Sequence, residues 1–119
     1  MGQLIRTTAP AMTPARRIQR AERAYRGASQ SLRAVITNAK KERAERAEWL
    51  TAARLDVANA VRTGGLHDPA TTQAIRHAHA VEEAADACAE EWNRHLIAAR
   101  RDAEFRKQEA EEAYAATIA

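Results

Sequence analysis

A single cysteine, Cys88, leaves this chain without an internal disulfide, so a reducing, intracellular setting or a place within an assembled particle is expected. Proline is confined to Pro10, Pro14 and Pro69, and glycine to Gly2, Gly27, Gly64 and Gly65. That scarcity leaves two long stretches with little to interrupt a helix. Aromatic residues are too few for a compact mixed core: Tyr25, Trp49, Trp92, Phe105 and Tyr114. No stretch reaches the ~18 consecutive apolar residues of a membrane span, and the N-terminus lacks the apolar core of a secretory signal. No membrane partner is expected. Met1-Gly2 opens like a myristoylation site, but Arg6 stands where that motif asks for Ser or Thr. Neither GxGxxG nor GxxxxGK[ST] occurs, so phosphate-loop chemistry has no basis.

What is present is alanine and charge. Charged residues make up 29% of the 119 positions, and an Ala/Glu/Arg-rich chain with helical periodicity points to long helices or coiled coil. Thr13-Pro14 and Asp68-Pro69 each place a capping residue before a proline, which is preorganised for the first helical position. Gly64-Gly65 supplies the matching stop. At ~1.5 Å per residue each run makes a rod of ~75 Å. The expected fold is all-α, a long antiparallel two-helix hairpin in the manner of an Ala-rich coiled coil. Its parts are an extended N-terminal arm (1–13) and a hairpin over 14–119, with helix 14–63, turn 64–68 and helix 69–117.

Gly27 is the weak point of the first run, since a mid-helix glycine costs ~1 kcal/mol relative to alanine. The helix either breaks there, restarting at Ser29 or Ser31, or continues; the apolar phase passes through unshifted, which favours continuity. That phase runs Ile18, Ala21, Tyr25, Ala28, Leu32, Val35/Ile36, Ala39, a gap at Arg43, then Ala47, Leu50, Val57 and Val61. In the second run it is Ala74, Ala78, Val81, Ala85, Cys88, Trp92, Leu96, Ala99, Ala103, Ala110 and Ala113/Tyr114. Spacings of three and four define one helical face in each run. Alanines in the seam allow close approach but bury little area each.

Charge gives an independent clue. Residues 14–63 carry twelve Lys/Arg against five Asp/Glu, a net of +7, and residues 69–119 six against ten, a net of −4. Folding at the glycine pair sets residues whose numbers sum to about 131 side by side, bringing the Lys40–Arg46 block near Glu82–Glu91 and Arg16, Arg17 and Arg20 near Glu109–Glu112. Complementary flanking charges of this kind select partner and orientation in helix pairs.

The candidate chemical groups are sparse. His77 and His79 point to opposite sides of a helix, whereas Glu91/His95 and His79/Glu83 have the i, i+4 spacing of ligand pairs but no second set to complete a site. Cys88 lies on the seam with no basic residue adjoining it in sequence, so it reads as a small apolar group. No catalytic residue, metal or cofactor is expected, and the chain reads as a non-enzyme. Arg16, Arg20, Arg23 and Arg26 share one side of the first helix and make a candidate nucleic-acid contact.

More telling are apolar residues off the seam: Trp49, Leu55, Ile75, Ile97 and Phe105. With Leu4 and Ile5 of the arm, they form the candidate partner interface, Trp49 and Phe105 being the anchors. Small helical units usually gain stability by oligomerising or docking. The leading expectation is therefore a non-enzymatic assembly protein, such as a phage or other particle subunit, scaffold or adaptor, bound to protein partners and forming a homo-oligomer or larger assembly. Two further readings stand beside it. In outline the chain resembles the WXG100 proteins, secreted helix–turn–helix effectors, although their Trp-x-Gly turn is Thr63-Gly64-Gly65-Leu66 here and the likeness is architectural. The third is a nucleic-acid-associated protein acting through residues 16–33.

Overall fold

The computed structural model describes residues 13–118; the expected arm, with Leu4 and Ile5, lies outside them. Two helices make up the architecture, α1 (Pro14–Gly64) and α2 (Pro69–Ile118), packed antiparallel as a hairpin about 76 Å long. There is no strand among the described residues.

Each expected signal does its work at the ends. The Thr13 hydroxyl accepts from the Arg16 N–H at 3.2 Å, with Pro14 at the first helical position. Gly65 ends α1 with φ at 84° and donates its N–H to the Val61 carbonyl at 2.9 Å. That conformation is open to glycine and costly for other residues. Gly64 is required for a different reason: a Cβ there would overlap the Asp68 carboxylate. Asp68 in turn accepts from the Ala70 N–H at 2.9 Å, opening α2. The Thr71 hydroxyl, fully buried, donates to the Gly65 carbonyl at 2.7 Å and ties the turn to the second helix.

α1 is continuous through Gly27, which faces open space. One glycine in a helix of 51 residues is outweighed by the seam contacts on either side of it. The seam closes on small residues. Among the described residues Ala28, Ala39, Ala53, Ala103 and Ala113 are its buried apolar side chains, with larger groups such as Leu32, Val35, Val81 and Leu96 half-buried beside them.

The seam departs from the expected stripe at mid-length. Glu42 and Arg46 occupy it, whereas Arg43 and Ala47 are exposed. The reason is a phase change: 42, 46 and 50 follow one another by two steps of four, as do 88, 92 and 96 opposite. Two such steps in a row locally unwind the supercoil that alternating three-and-four spacing demands. After it, Ala53, absent from the expected stripe, is the most enclosed alanine at 2% exposure. Near the far end Ala113 takes the seam position and Tyr114 is exposed.

The expected charge register holds. Glu42 reaches both Cys88 and Trp92, so facing numbers sum to 130 and 134 on either side of the expected 131, and Arg20 shares a groove with Glu112 at a sum of 132. Among the described residues the ion pair that crosses the hairpin is Arg54–Glu82, at the 4.0 Å limit. The other pairs lie within one helix, at spacings of three or four.

Candidate partner interface

At the phase change the two helices build a polar layer. The Trp92 indole N–H donates to Glu42 Oε2 at 2.6 Å across the seam. Arg46 Nη2 stands 3.7 Å from Glu42 Oε1, one turn away on the same helix. The Trp92 hydrogen bond holds the Glu42 carboxyl below its ordinary range, with the neighbouring Cys88 thiol and Arg46 acting in the same direction. Burial, reinforced by Glu42, pushes the Cys88 thiol up. Arg46 reaches Cys88 from the opposite helix and opposes that shift, a neighbour that sequence order conceals. The raised thiol is a poor nucleophile, in keeping with a packing role.

Arg46 links this layer to the surface. Its guanidinium carbon lies 5.0 Å from the centroid of the Trp49 ring, within reach of a cation–π contact. Its Nε is buried without a hydrogen-bond partner, while the guanidinium as a whole has Glu42 and the Trp49 ring as neighbours. On the same side an open groove of about 400 Å³ runs between the helices, lined by Glu42, Arg46, Ala84, Ala87, Cys88, Glu91, Trp92 and His95. Trp92 and His95 meet edge to face at 5.6 Å between ring centroids.

All five off-seam apolar residues are exposed: Trp49, Leu55, Ile75, Ile97 and Phe105. The hairpin does not gather them into one stripe. At ~100° per residue, Leu55 points away from the seam while Ile75 and Ile97 lie on the side opposite Trp49. Phe105 carries the Arg106 guanidinium 5.5 Å from its ring. Leu66, Tyr114 and Ile118 add to the exposed apolar surface; Tyr114 shares a seam position with Ala113 in the expected stripe, whereas Leu66 and Ile118, at the turn and the helix end, carry no seam phase.

Arg16, Arg20, Arg23 and Arg26 are exposed on α1. Arg17 and Arg20 share a groove with Arg106, Glu109 and Glu112, so acidic side chains from α2 stand within the same basic patch. His79 and His95 pair with Glu83 and Glu91 at 3.2 and 3.7 Å on exposed helix faces. Among the described residues no group of three or more His, Cys, Asp and Glu side chains converges on a metal position, and no helix is long and apolar enough to cross a membrane. No family model, curated protein or solved structure matches the chain.

Proposed function

We propose that the protein is a non-enzymatic assembly component, a helical hairpin whose work is to make contacts with other protein surfaces. The observation that carries this reading is an imbalance between inside and outside. Among the described residues every buried side chain is alanine or threonine, while Trp49, Leu55, Leu66, Ile75, Ile97, Phe105, Tyr114 and Ile118 are exposed. Burying a large apolar side chain contributes about 1.5–3 kcal/mol, several times what one alanine methyl supplies. A substantial share of the available hydrophobic stabilisation therefore lies on surfaces that the hairpin leaves open. A thin two-helix unit with so little enclosed apolar volume is of the kind that gains stability by oligomerising or docking, which supports the reading.

A particle subunit, scaffold or adaptor fits this character. The nucleic-acid reading draws support from the exposed arginines of α1, but Glu109 and Glu112 beside Arg17 and Arg20 weaken the field a phosphate would meet. Affinity capture with the wild-type chain and with Trp49→Ala/Phe105→Ala tests the assembly reading. Partners, other copies of the chain included, are captured by the wild type and lost in the double variant. A stably folded monomer that captures nothing, or a variant that captures as well as the wild type, overturns it.

A further inference from the structure

On the side of the hairpin that faces away from Trp49, we infer that the molecule binds the phosphate backbone of a nucleic acid. The contact runs through Arg26, Arg33, Lys40 and Arg43 of α1 with Arg100 and Lys107 of α2. It is an addition to the assembly reading and does not rest on it. Periodicity is the first argument. Arg26, Arg33 and Lys40 follow one another by seven residues, or two helical turns, so they form one row with ~10.5 Å between steps. Arg100 and Lys107 repeat the same step on α2. Facing numbers sum to 130–134, so Arg26 stands level with Lys107, Arg33 with Arg100 and Lys40 with Asn93. At ~100° per residue both rows turn to one side, the side on which Arg54 reaches Glu82.

Local charge, resolved by face, is the second argument. α1 has no Asp or Glu from Arg23 to Lys41. On this side, between Arg26 and Arg43 and between Asn93 and Lys107, Glu104 is the one carboxylate against six cations. All six cations are exposed, and none belongs to an ion pair among the described residues. Glu109 and Glu112, which share the groove of Arg17 and Arg20, lie on the other side, as do Glu42 and Glu91 of the groove near Trp49. Carboxylates bound the strip at both ends: Glu22 and Glu111 beyond Arg26 and Lys107, Glu82 and Asp86 beyond Arg43. Fields of exposed charges fade over ~8 Å at physiological salt, so a polyanion meets a positive strip ~25 Å long. Long unpaired cations at a regular step suit backbone phosphates, which hold a nucleic acid without reading its bases. An acidic protein surface fits less well, because the aromatic anchors Trp49 and Phe105 turn to the opposite side. Ile97 is the one exposed large apolar residue on the strip, too little for insertion into a lipid surface.

Fluorescence anisotropy of the full chain with labelled DNA duplexes of two unrelated sequences, between about 50 and 200 mM salt, tests the inference. Both duplexes are expected to bind equally. The logarithm of Kd is expected to rise with the logarithm of salt at a slope of about 5, from ~0.9 for each of six cations. Arg33→Gln/Lys40→Gln/Arg100→Gln should lower that slope by about 3 and weaken binding by about tenfold or more at low salt. Its helical circular dichroism should stay unchanged, since all three side chains are exposed. Arg17→Gln/Arg20→Gln, on the other side, should leave the slope within about one unit of the wild type. No binding at low salt, a slope near zero, a strong preference for one sequence, or equal losses in the two variants overturns the inference. So does binding to phosphatidylserine vesicles that the triple variant loses while neither duplex binds, which assigns the strip to a lipid surface. None of these outcomes touches protein capture through Trp49 and Phe105, so the assembly reading stands or falls separately.

Discussion

Two glycines of similar sequence appearance have opposite roles. Gly27 sits mid-helix with nothing within 4 Å of a Cβ placed there, so Gly27→Ala is expected to stabilise the chain by about 0.5–1 kcal/mol in chemical denaturation. Gly65, at φ 84° and ψ 176°, occupies backbone space that is essentially reserved for glycine, and Gly65→Ala is expected to cost about 1–3 kcal/mol. Glu42 gives a pH signature. Its folded carboxyl titrates below the ordinary 4.5, so its contribution is complete above that value and is lost as pH falls through the folded pKa. In urea titrations between pH 6 and 3, Glu42→Gln should lose less stability than the wild type over that range; equal losses would remove the Trp92–Glu42 contact from the account. Cys88 runs the other way, its thiol raised above 9.0, so its contribution is complete below that pH and declines in stronger base.

At the scale of the element, the helix boundaries were readable because they depend on local chemistry. Thr13-Pro14, Gly64-Gly65 and Asp68-Pro69 act through their own backbone conformations and near neighbours, and the helices end within a residue of the expected places. The seam was legible wherever three-and-four spacing holds. It failed between Ala39 and Leu50, because a phase change places Glu42 and Arg46 inward while Ala47, the apolar choice, faces water. A polar residue on a seam is paired from the other helix, and that partner, Trp92, is fifty positions away. The cross-seam proximity of Arg46 to Cys88 was hidden for the same reason. The exposed apolar candidates could be read as off-phase, but nothing local tells whether they share a face. One further consequence concerns the start of α1, whose first turn has no acidic residue and holds Arg16 and Arg17 against the positive end of the helix dipole. Arg16→Glu would complete a capping box with Thr13 and is expected to stabilise by about 0.5–1 kcal/mol, slowing amide exchange over the first turns. Unchanged exchange there would show that the arginines are already neutralised by another partner.

Over the described residues the molecule is two rods joined by a tight turn, long and thin. Two helices touching along one line can enclose only small side chains between them, which is why alanine fills the seam and bulkier groups are displaced to its margins. On the proposed assembly reading, such a unit gains part of its stability from a partner that covers those margins. Where that partner is another copy of the chain, as the homo-oligomer expected from the sequence has it, folding and association are one equilibrium and unfolding depends on protein concentration. The most direct measurement is the thermal midpoint by far-UV circular dichroism over about a hundredfold range of concentration. The account predicts a midpoint that climbs steadily with concentration in the wild type and stays level in Trp49→Asp. A wild-type midpoint that does not move, at the mass of a single chain, would contradict it.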